Sequence, residues 1–196
     1  ASDVYKRQDW LWSERKVLRT LGALGPSIPG APSAECGLIL LGGENDHFYW
    51  SDEEVCASVS AIVAQNPRVH WQISDSPRSS KNLISAVDRA LHGADNAETV
   101  HYLDNDPRWL TQTLARAGQV WVSSDSASML YEALSSAARV GVIELTSKRA
   151  NNKLAAGIDA LRREQRVGTL SAGPLDAQAL KVEPLREQVR CARWIL

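Results

Sequence analysis

Short apolar runs alternate with stretches of helical periodicity along this chain, and that alternation constrains its fold more than any other feature. Cys36–Leu41 (CGLILL), Val69–Ser74 (VHWQIS), Val100–Leu103, Gln119–Ser123 (QVWVS) and Val140–Leu145 (VGVIEL) are nearly continuous in apolar character. Continuous rather than alternating apolarity marks strands buried on both faces. Between them, residues 52–65 carry Val55, Val59, Ile62 and Val63 at helical spacing, and Ser51 with Glu54 forms a capping box. Further helices are predicted over 79–91, from an Asp106 cap and an N1 proline at Pro107 through Ala117, over 126–137, over 150–165, and over 175–192 with an interruption near Pro184. Strand–helix alternation implies βαβ units with right-handed crossovers. The expected fold class is therefore α/β, a doubly wound, Rossmann-like parallel sheet. In such sheets ligands bind outside the carboxyl ends of the strands, so the residues that follow each strand matter most.

Composition excludes several functions. The formal net charge is −1, without the basic excess that a nucleic-acid partner requires. No apolar run approaches the roughly 20 residues of a membrane span. The three cysteines, Cys36, Cys56 and Cys191, lack CxxC spacing, which argues against a disulfide framework or a zinc site and fits a reduced, cytoplasmic setting. Cys36 and Cys56 read as small core residues. Ala1–Gln8 (ASDVYKRQ) has no apolar period and reads as a non-native segment without a secretion signal. Residues 9–34 read as a short helix over 9–25 and a Pro/Gly-rich linker belonging with a preceding domain, and residues 35–196 as the α/β domain.

Three loops at predicted strand ends carry the candidate chemistry. Gly42-Gly43 opens the first, which runs through His47 to Trp50; the pair permits a sharp turn or close approach to an anion, or simply a strand-to-helix turn with Phe48 and Trp50 packed beneath it. It is not G-x-G-x-x-G, so no dinucleotide fingerprint is present. The second, Ser74–Ser80, holds Ser76, Arg78 and Ser79: hydroxyls and a guanidinium able to bind phosphate, or plain capping by Ser79 or Ser80. The third holds Ser124, Asp125, Ser126 and Ser128 at a helix start, with Glu132 deeper in the helix. Small hydroxyl residues there let a diphosphate meet backbone N–H groups and the helix dipole, and a carboxylate on the same face can accept from ribose hydroxyls. The competing reading makes Ser124 or Asp125 a cap and Glu132 a solvated charge.

Of the four histidines only His47 falls on a predicted ligand-side loop, since His70 and His101 lie within predicted strands. No i, i+4 histidine pair offers a metal site, and no G-x-S-x-G elbow appears. Lys148, Arg149 and Lys153 form a small basic patch that reads as a solvated face.

Taken together, GGENDHFYW, SDSPRSS and VSSDSASMLYEA resemble the corresponding loops of the mitochondrial-fission Elm family, over roughly residues 36–196. Arg78 and Ser79 match the family's Ser-Arg-Arg-Thr-Pro loop, while Pro77 and Ser80 depart from it. The resemblance implies the C-terminal half of a GT-B-like architecture. Gly42, Gly43, His47, Ser76, Arg78, Ser79, Ser124, Asp125, Ser126, Ser128 and Glu132 would then bind a nucleotide diphosphate sugar, a UDP-sugar first among them. No cofactor or metal is implied. The acceptor and the catalytic base would sit on an N-terminal domain of the same protein, so this chain alone is expected to be inactive. The implied location is cytoplasmic or peripheral to the inner membrane, with membrane contact only through the intact protein. A UDP-sugar 2-epimerase-like enzyme and a non-catalytic binding or membrane-adaptor module remain as alternatives.

Overall fold

The computed structural model describes residues 28–195, with Leu18, Thr20 and Gly25 before them. The segment 1–8 and nearly all of the helix expected over 9–25 lie outside the described residues.

Six strands form one sheet, all pairs parallel, in the order β3-β2-β1-β4-β5-β6. The strands are β1 (Ser33–Leu40), β2 (His70–Ser74), β3 (Ala97–Val100), β4 (Ala117–Ser123), β5 (Arg139–Ile143) and β6 (Val167–Thr169). The order reverses between β1 and β4, which creates the crevice where open α/β sheets receive ligands. Every residue of β4 is buried. Its two faces serve different helices. Val120 and Val122 pack with α3 (Trp109–Arg116), α4 (Ala127–Leu134) and α5 (Lys153–Arg163) through Leu114, Leu130 and Ile158. Trp121 packs on the other face, in the cluster that contains Val59 of α1 (Asp52–Gln65) and Val87 of α2 (Leu83–Ala90). The doubly wound sheet is thus the one its strand pattern predicts.

Several boundaries differ from expectation. β3 covers Ala97–Val100 rather than Val100–Leu103, and Tyr102–Asp104 is a 3-10 turn N-capped by His101. Its four residues are all partly exposed or exposed, because β3 is the sheet edge, so no continuous apolar run marks it. Pro107 does not open α3: Arg108 is the N-cap, and Asp106 Oδ1 accepts from Arg108 N–H at 2.8 Å as a turn before the helix. Ser79 and Ser80 do not cap α2, whose N-cap is Asn82. The helix expected over 175–192 is mostly absent; a 3-10 turn at Leu175–Ala177 leads through extended chain to α6 (Glu187–Ile195). Leu175 is fully buried in the sheet cluster, so that turn serves as a core plug. The three-residue strand β6 was not anticipated.

No helix among the described residues is long and apolar enough to cross a membrane. Among the same residues no group of three His, Cys, Asp or Glu could hold a metal ion.

Candidate functional site

The loops after β1, β2 and β4 meet at the crevice, and Asp125 joins them. Its side chain is completely buried. Oδ1 accepts from the Ser123 hydroxyl at 2.6 Å, and Ser123 Oγ in turn accepts from Gly42 N–H at 2.8 Å. Oδ2 accepts from Gly43 N–H at 3.1 Å and stands 2.9 Å from the Arg78 guanidinium. The glycine pair is required by this packing: a Cβ on Gly42 would collide with the Asp125 carboxylate, and one on Gly43 with the backbone of Arg78 and Ser79. The close approach read from the sequence is therefore an approach to other loops of the same chain.

The second loop is tied down in the same way. Ser79 Oγ donates to the carbonyl of Gly42 and accepts from Ser76 N–H at 3.0 Å, with the two serine hydroxyls 3.2 Å apart. Ser76 Oγ accepts from Arg78 N–H at 3.3 Å. Arg78 keeps 42% of its side chain exposed. Its remaining guanidinium donors have no partner among the described residues, so they are available to an anion.

At the third loop, capping does not account for the serines. Ser124 Oγ accepts from Leu145 N–H at 3.0 Å, which ties β4 to the chain after β5. Asp125 is occupied as above. Ser126 is the N-cap of α4, yet its side chain makes no capping bond, and its hydroxyl has no partner among the described residues although the residue is only 7% exposed. By contrast, Ser51 caps α1 through Glu54 N–H, and Asn152 caps α5 through the N–H groups of Leu154 and Ala155. The first turn of α4 therefore presents N–H groups and a positive dipole end without a protein cap. Ser128 is exposed, and Glu132 is half-buried on the same helix face, opposite Leu130, Ala133 and Leu134. The Glu132 carboxyl has no partner among the described residues, and burial pushes it above the usual glutamate range.

His47 lies apart from this cluster. Its carbonyl accepts from Lys148 N–H at 2.9 Å and from Asn152 Nδ2 at 3.0 Å, and Phe48 bridges to Ser147. The loop after β1 thus straps across the end of β4 to the loop after β5, with the Lys148 ammonium donating to the Asn45 carbonyl. His47's exposed ring sits on that strap.

The sequence reading missed a second polar group. His101, placed within a strand by its pattern, follows β3 on the ligand side; its Nδ1 is 3.3 Å from Asp75 Oδ1. The same Asp75 oxygen accepts from Tyr102 N–H at 2.8 Å. Both residues line a 470 Å³ cavity with Ser79, Ser80, Lys81, Tyr102 and Leu103. An apolar-pattern search passes over His101 because the edge strand stops one residue before it. A further cavity of 330 Å³, between His70, Gln72 and Arg116, lies at the amino ends of the strands, away from these loops.

Among solved structures the chain is similar to the GtfA/B complex (15% identity, TM-score 0.47, 89% of this chain and 36% of that one). It is also similar to Acinetobacter baumannii MurG (10%, 0.46, 82% and 42%) and to the cypemycin decarboxylase CypD (12%, 0.43, 82% and 96%). The chain thus spans well under half the length of the first two, and likeness of this degree says nothing of chemistry. No curated protein matches it. The profile described as mitochondrial fission ELM1 matches residues 8–196. By a match that spans nearly its whole length, this chain belongs to the mitochondrial fission ELM1 family.

Proposed function

We propose that the chain is the donor-binding half of a GT-B glycosyltransferase-like protein and holds a nucleotide diphosphate sugar, a UDP-sugar first among candidates, at the amino end of α4. The observation that carries this reading is the uncapped start of α4, where Ser126, whose hydroxyl has no partner among the described residues, directly follows Asp125, the buried partner of the half-exposed Arg78. A diphosphate would receive the first-turn N–H groups, the Ser126 and Ser128 hydroxyls and the Arg78 guanidinium. These groups favour negative charge as it develops on a leaving diphosphate, which is how transfer proceeds without a metal. Glu132, four residues beyond Ser128, would accept from the ribose hydroxyls. The acceptor and the catalytic base belong to the whole protein, to a domain preceding this one.

A non-catalytic binding or adaptor module is the second reading. It is favoured by the mutual engagement of Gly42, Gly43 and Asp125, which leaves three expected ligand contacts facing one another.

Calorimetric titration with UDP-, ADP- and GDP-sugars separates the two. Losing a charge-assisted hydrogen bond costs roughly 1.5–3 kcal/mol, so Glu132→Ala should weaken the best nucleotide by about 10- to 150-fold. Equal affinity of wild type and variant, or no binding by either, would favour the adaptor.

A further inference from the structure

We infer that Asp125 never touches the ligand and is instead a positioning residue, holding Arg78 so that one guanidinium bridges the buried carboxylate and a bound diphosphate; this rests on the donor-binding reading above. Asp125 has no exposed side-chain surface, and a second anion cannot approach it directly. Both its oxygens are engaged, by Ser123, Gly43 and Arg78. Arg78 is the one of these partners that also reaches solvent. A guanidinium carries five N–H donors in a planar fork, so it can serve a carboxylate with one nitrogen and a phosphate with the others. Ser126, next in sequence to Asp125, starts α4 with a hydroxyl that finds no partner among the described residues. The carboxylate therefore fixes the cation from the residue that directly precedes the uncapped start of α4.

The sign of the Asp125 effect should depend on Arg78. With Arg78 present, removing the carboxylate charge unfixes the guanidinium and weakens binding. With Arg78 absent, the carboxylate is a naked negative charge beneath the anion, and removing it relieves repulsion.

The test is a double-mutant cycle read by titration with inorganic pyrophosphate and UDP, with thermal melts confirming that each variant folds. Asp125→Asn should weaken both probes by about tenfold, the loss of one charge-assisted contact. Arg78→Ala should weaken them at least as much. Adding Asp125→Asn to Arg78→Ala should then restore affinity rather than lower it further. A residue that only held the loops together would weaken binding in both backgrounds, and that result overturns the proposal. Should Asp125→Asn fail to fold, Arg78→Lys supplies the answer: an ammonium point charge cannot bridge the two groups, so it should lose most of what Arg78→Ala loses. Full affinity in Arg78→Lys overturns the proposal. Wild type that binds neither probe overturns the donor-binding reading as well, whereas intact binding with an additive cycle overturns only the role of Asp125.

Discussion

The indole of Trp121 lies against Gly141 on the neighbouring strand, so close that a Cβ on Gly141 would stand 2.5 Å from Trp121 Cε3. Trp71 occupies the same relation to Gly37. Both rings are essentially buried in the cluster with α1 and α2. Overpacking such a site costs about 1–3 kcal/mol. Gly141→Ala should therefore lower the urea midpoint by that equivalent without changing the slope, and an unchanged midpoint would show that the ring has room to move.

Ser123 stands between a backbone N–H and a carboxylate, both buried. Ser123→Ala leaves Gly42 N–H and Asp125 Oδ1 without that partner, at a cost of roughly 1–3 kcal/mol. Reduced stability accompanied by weaker pyrophosphate binding is expected. Loss of stability with binding intact would separate the Asp125 network from the ligand site.

Asp75 holds the turn after β3 through Tyr102 N–H, with the His101 ring 3.3 Å away. Asp75→Ala should release that turn while leaving the sheet intact. Hydrogen exchange at Tyr102 is the measurement: the amide should lose protection while amides of β1 and β4 keep theirs.

Glu132 gives a pH signature with two opposite signs. Its folded pKa is raised by burial, so the folded chain binds the proton more readily than the unfolded one. Its contribution to stability is therefore fully present below the ordinary glutamate value of about 4.3 and lost as pH rises through the raised value. Nucleotide affinity should run the other way, falling as pH drops through the raised value, because the ionised carboxylate is the form that accepts from both ribose hydroxyls. Glu132→Gln should flatten both profiles, measured by thermal melts and UDP titration. A wild-type affinity independent of pH across this window would remove Glu132 from the site.

The fold was legible where burial is two-sided. β1, β2, β4 and β5 carry continuous apolar runs because helices cover both of their faces, and α1 was readable to the residue from Ser51 and its periodic valines. β3 is misplaced because its edge position leaves all four of its residues at least partly exposed, and β6 is missed because three residues are too few to leave an apolar run. Of the site, the strand ends were legible because topology dictates where ligands bind. What each residue does there was not. The Gly42-Gly43 pair looks alike in sequence whether it faces a phosphate or a carboxylate of the same chain, and only the register of β1 against β4 brings Asp125 to it. Asp75 and His101 could not be paired at all, since nothing local relates positions on two different strand ends.

The central place of β1 has a consequence for how the chain assembles. β1 ends at Leu40, but the strand that covers its second edge opens only at Ala117. During synthesis the first half of the chain can pair β1 with β2, and β2 with β3, while β1, whose second half is apolar and buried, keeps one edge open. The long loop closed by the β1–β4 pairing should make that step rate-limiting, and the waiting intermediate the species most prone to aggregate.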